Sequence, residues 1–66
     1  MTRQELETER NELFDDNFNY KSNDIDRIKN FCNFLKEKTG VQVCNIQGGI
    51  YEYLPQIYSS VINNLE

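Results

Sequence analysis

Cys32 and Cys44 are the only thiols in this 66-residue chain, and no histidine is present to activate either of them. Histidine carries most general acid–base chemistry near neutral pH and is the commonest metal ligand. What remains for chemistry is carboxylates, four tyrosines, serines and the two cysteines. The cysteines stand twelve positions apart, which is neither C-x-x-C nor a zinc-ligand spacing. Nothing near either one in sequence would lower its pKa, so no thiolate nucleophile is expected. Both read as small apolar core residues, with a structural disulfide as the minor alternative. No cofactor, no metal and no enzymatic activity are expected.

The carboxylates offer two patterns. Asp15-x-Asn17-x-Asn19, with Asp26 at the twelfth position, partly matches a calcium loop, whose ligands are oxygens at alternate positions. Tyr20 occupies the sixth place, where glycine permits the sharp turn, and no second hand is present. Turn chemistry alone explains such an Asn/Asp-rich stretch. The second pattern is Glu5, Glu9, Glu12 and Asp16, whose spacing places them on one helical stripe. Read blandly, this is a solvated face. Read functionally, it is water-facing charge that imitates the phosphate spacing of nucleic acid or steers and docks on a basic partner. Residues 1–20 carry two basic side chains (Arg3, Arg10) against six acidic ones (Glu5, Glu7, Glu9, Glu12, Asp15, Asp16). That excess equals the net charge of the whole chain, −4.

The tyrosines supply the remaining candidates. Tyr51 and Tyr53 flank Glu52, and Tyr58 stands in the last apolar stretch. Tyrosine is large, stiff and amphipathic, and is enriched at interfaces. Glu5, Glu9, Glu12, Asp16, Tyr51, Tyr53 and Tyr58 are therefore the candidate partner-binding residues.

The elements that must position them can be read in order. Thr2-Arg3-Gln4-Glu5 fits a capping box and predicts a helix from Arg3 to about Phe14 or Asp15. Only Leu6 and Leu13 share a face there, so this helix is expected to dock lightly or to wait for a partner. Residues 15–22 read as a loop. A second helix follows, capped by Ser22 or Asn23, with Asp24 and Asp26 in its first turn, Lys36 and Lys38 in its last, and Gly40 just past its end. Ile25, Ile28, Phe31, Cys32 and Leu35 form its apolar face, and Phe34 points elsewhere. Val41 to Ile46 and Ile50 to Leu54, around Gln47-Gly48-Gly49, predict a β-hairpin that puts both tyrosines on the face opposite Ile50. Pro55 then opens a last helix to about Leu65, lined by Ile57, Tyr58, Val61, Ile62 and Leu65. The rival reading starts that helix near Ile50 and makes the chain an all-α three-helix domain.

The expected fold is one small α+β domain over residues 1–66: two helices, a β-hairpin and a C-terminal helix. No apolar run approaches the roughly 20 residues of a membrane span, and Met1–Glu5 leads into no apolar stretch. Neither a membrane helix nor a signal peptide is expected, and the expected location is cytoplasmic. Alanine is absent while Asn, Ile, Tyr, Phe, Glu and Lys abound, which fits AT-rich coding such as that of a phage, a mobile element or a low-GC bacterium. Two helices and a hairpin could form a reduced winged helix, with Arg27, Lys29 and Lys36 on phosphates. An isoelectric point near 4.7 argues against nucleic acid as partner. The expected function is a small acidic inhibitor or regulator that occupies a surface of a larger protein, with the acidic stripe for steering and the tyrosines as anchors. The alternative is a homodimer or other homo-oligomeric accessory subunit, because so small a chain is expected to leave apolar surface uncovered.

Overall fold

Thr2 opens α1 (Arg3–Leu13) with a complete capping box. Its Oγ1 accepts from the Glu5 N–H at 3.1 Å, and the Glu5 carboxylate accepts from the Thr2 N–H at 3.2 Å. Two N–H groups that the helix cannot satisfy internally are thereby paired. The computed structural model describes residues 1–45 and 47–65. Contrary to expectation, α1 is fully docked: Leu6 and Leu13 are completely buried. Its apolar supply continues past the helix end, where Phe14 and Phe18 are buried and Tyr20 packs half-buried beside them.

The connection between the helices is tightly bonded. Oδ1 of Asp15 accepts from the Asn17 and Asn19 N–H groups, both at 2.9 Å, and Phe14 pairs with Tyr20 in an isolated antiparallel bridge. Phe18 sits at the tip with φ of 63°, a left-handed conformation that side chains seldom adopt. Burial of its ring against Phe14 and Tyr58, at centroid distances of 5.8 and 5.7 Å, holds it there. The Arg10 guanidinium covers the ring 4.2 Å from its centroid.

Asp24, rather than Ser22 or Asn23, caps α2 (Ile25–Thr39), accepting from the Arg27 N–H at 3.2 Å. Ser22 instead accepts from the Asp24 N–H and sets the cap in place. Gly40 ends the helix at φ of 73°, where glycine alone incurs no Cβ penalty, and its N–H donates to the Lys36 carbonyl at 2.6 Å. Ile28, Phe31, Cys32 and Leu35 are buried as the spacing predicts. Ile25, expected on the same apolar face, is exposed.

The hairpin is present but shorter than read. β1 (Cys44–Asn45) pairs antiparallel with β2 (Gly49–Ile50), Cys44 opposite Ile50 and Asn45 opposite Gly49. The end of the expected first strand at Ile46 lies outside the described residues. Tyr51 follows β2 without strand pairing, Glu52 and Tyr53 form a turn, and α3 (Leu54–Asn64) begins, with Pro55 in its first turn where a missing N–H costs nothing. The two strands exclude the all-α alternative: the chain is a small α+β domain of three helices and a two-stranded hairpin. The helices pack pairwise around Leu6, Leu13, Phe14, Phe31, Leu35, Leu54 and Val61. Among the described residues, no helix is long and apolar enough to cross a membrane.

The cysteines correct the reading of them as core thiols. They are indeed buried, but they form a disulfide that ties α2 to β1. Twelve residues of sequence separation bring them within reach because the chain reverses at Gly40. Their Cα atoms lie 5.9 Å apart, a usual span for a disulfide.

Candidate functional site

Ile25, Lys29 and Asn33 recur every fourth residue and form one edge of α2. On a helix of 3.6 residues per turn they lie to one side of the stripe that Ile28, Phe31 and Leu35 bury. Ile25 falls about 90° from the centre of that stripe, which is why it escapes the core. Facing this edge are Gln42, Asn45, Gln47 and Tyr51 from the hairpin segment. An open groove of about 590 Å³ runs between the two walls, and Cys32 and Cys44 line it where the disulfide crosses.

Among the described residues, the lining contains amides, one ammonium group and two apolar side chains, with no carboxylate or free thiol. Such a surface can hydrogen-bond and bury apolar groups, but offers no general base. Two of its amides are engaged within the fold. Gln42 Nε2 donates to the Cys44 carbonyl at 2.5 Å, and Asn45 Oδ1 accepts from the Gln47 and Gly48 N–H groups at 3.1 Å each. Ile25 and Tyr51, 46% and 38% exposed, are with Met1 the exposed large hydrophobic residues among those described, and both belong to this groove.

The predicted tyrosines divide. Tyr51 and Tyr53 do share a side, through the turn rather than through strand alternation: their rings stack at 5.5 Å with 1° between planes. The Tyr53 hydroxyl donates to the Gln42 carbonyl at 2.5 Å, so this ring braces Tyr51 from behind. Tyr58 is elsewhere, half-buried against Phe18 and Phe31. Burial, with a smaller contribution from Glu7, raises the pKa of its hydroxyl. Tyr20, also raised by burial, donates from its hydroxyl to the Gly49 carbonyl at 3.0 Å and supports the hairpin from the other side.

The acidic stripe is only partly free, which corrects its reading as wholly water-facing charge. Arg27 of α2 reaches across and donates to Glu9 and Glu12, each at 2.6 Å from Nη2. These hydrogen bonds, the one to Glu12 foremost, push the Arg27 pKa further up. Glu5 serves the helix cap, and its pKa is lowered chiefly by the Thr2 backbone N–H. Asp16 is exposed on the turn. The stripe borders the leucine face that docks on α2, so a cation from α2 meets it directly. Sequence reading placed Ile25 in the core and weighed Lys29 only as a phosphate contact, so it missed this edge as a surface site. The available signal was the four-residue repeat of 25, 29 and 33 beside the core stripe.

No family model, curated protein or solved structure matches this chain.

Proposed function

We propose that this chain is a small acidic, non-enzymatic binding protein that inhibits or regulates a larger protein by occupying one of its functional surfaces. The observation that supports this reading is the convergence of exposed Ile25 and Tyr51 on one groove, whose lining among the described residues holds no acid–base pair. Buried aromatic and aliphatic anchors carry most of the energy of protein interfaces, and amides such as Asn33 and Gln47 suit the polar contacts around them. The net charge of −4 favours a partner with a basic surface and disfavours nucleic acid. Glu5 and Asp16 are the members of the stripe left for steering.

The proposed setting is cytoplasmic. Disulfides persist mainly in oxidising compartments, so in that setting the Cys32–Cys44 pair would be exposed to reduction. Affinity capture from the source cell with wild type and with an I25D/Y51D variant tests the reading. A partner held by wild type and lost by a folded variant supports it; identical retention by both overturns it. Sedimentation at micromolar concentration separates the homo-oligomeric alternative, in which wild type associates with itself and I25D/Y51D is a monomer.

A further inference from the structure

We infer that the Cys32–Cys44 disulfide is a reducible clasp on the groove, so that the surface bearing Ile25 and Tyr51 is assembled in the oxidised protein and loosened by a dithiol reductant. This concerns regulation of the surface proposed above and rests on that reading for its biological meaning. The bond is a covalent cross-link between the two walls, added to the backbone that joins them through Gly40: Cys32 belongs to α2 and Cys44 to β1, and both line the groove.

The helices have other means of holding together, through buried Leu6, Leu13, Ile28, Phe31, Leu35 and Ile62. The hairpin has few. Among the described residues its ladder is two residue pairs, and Val43 is a fully buried apolar anchor beside the cysteine. The Tyr20 hydroxyl adds bonds to the Gly49 and Asn45 carbonyls at 3.0 and 3.4 Å. Tyr51 follows β2 directly and donates its N–H to the Val43 carbonyl at 3.2 Å. Its position opposite Ile25 therefore depends on how firmly β1 is pinned to α2. Two thiols occupy more room than a bonded sulfur pair, and both cysteines are buried, at 3% and 2% exposure. The less anchored wall is the one that gives.

The reaction is thiol–disulfide exchange with a dithiol. A thiolate of the reagent attacks one protein sulfur from the groove, breaking the Cys32–Cys44 bond and forming a mixed disulfide. The second reagent thiolate then displaces that protein sulfur. The reagent leaves as an intramolecular disulfide, having given up two electrons, and the protein sulfurs take up two protons.

Native-state hydrogen exchange on the purified chain, with and without dithiothreitol, tests the inference without any partner. Alkylation and mass measurement report the thiol state of each sample. On reduction, the Ile50 and Tyr51 amides are expected to exchange on the order of tenfold faster, while the Leu13, Ile28 and Leu35 amides change little. A C32A/C44A variant should match the reduced wild type and ignore dithiothreitol. Equal exchange in both states, free thiols in air-oxidised protein, or acceleration of all amides together would each overturn the clasp. The last result would make the bond a staple of the whole fold. Failure of partner capture would leave these exchange rates untouched, so the two readings fail separately.

Discussion

Arg27 shows how one side chain can change the meaning of a charge pattern. Its guanidinium is shared by Glu9 and Glu12, so one positive charge offsets half of the charge of these two carboxylates within the molecule. Exposed pairs contribute little singly, but here one cation separates two like charges on adjacent turns. R27M should therefore lower the melting temperature at low salt, and the deficit should shrink as added salt screens the two freed carboxylates. Thermal melts across an ionic-strength series check this; equal melting of R27M and wild type at low salt would show that the pair is idle. The carboxylates were legible in the sequence, since Glu5, Glu9 and Glu12 recur at helical spacing. Their partner was not, because Arg27 lies on another helix and only tertiary packing brings it near. Asp15 is the converse case. Its alternation with Asn17 and Asn19 suggested oxygen ligands, and the structure shows that its carboxylate instead closes its own turn.

Whole elements were more legible than their ends and partners. The start of α1 and the end of α2 follow from Thr2, Glu5 and Gly40, where local chemistry decides. The docking of α1 was hidden, because Leu6 and Leu13 alone make a thin stripe. Phe14, Phe18 and Tyr20 complete it from beyond the helix, through a turn whose left-handed residue no periodicity reveals. The hairpin was legible as a turn between β-branched runs. Its length was not, because Pro55 draws Leu54 and the residues before it toward helix entry rather than strand pairing. The groove escaped notice for a related reason: Ile25 has the right type for the core but lies at the stripe's edge. Within α2 the buried positions are unambiguous. I28A or L35A should cost about 2–4 kcal/mol, from lost transfer energy and the cavity left behind. In a domain this small that is most of the stability, so either variant should be largely unfolded at 37 °C by circular dichroism. Melting within a few degrees of wild type would mean that α2 is not the centre of the core.

At the scale of the molecule, charge governs both acid stability and encounter. No histidine titrates near neutral pH, so stability should be flat from about pH 8 to pH 5. Glu5 and Asp15 have lowered pKa values, held down chiefly by the N–H groups of Thr2 and of Asn19 respectively. A lowered carboxylate contributes stability above its unfolded pKa and loses it as pH falls through the folded one. The melting temperature should thus drop below the ordinary carboxylate range, and E5Q/D15N should drop less steeply. Encounter depends on the charge that stays free. Reversing Glu9 or Glu12 would place a lysine against Arg27, and reversing Glu5 would break the Thr2 capping box, so steering is better probed at Asp16. D16K should slow association with a basic partner and weaken its salt dependence, because steering acts on the association rate and is screened within about 10 Å at 0.1 M salt. Y51A should leave that rate nearly unchanged and speed dissociation, as loss of a buried aromatic anchor does. Stopped-flow or surface-binding kinetics over an ionic-strength series separate the two effects. A wild-type association rate that stays flat from low to high salt would reduce the stripe to a solvated, partly self-paired face, and leave recognition to the groove between Ile25 and Tyr51.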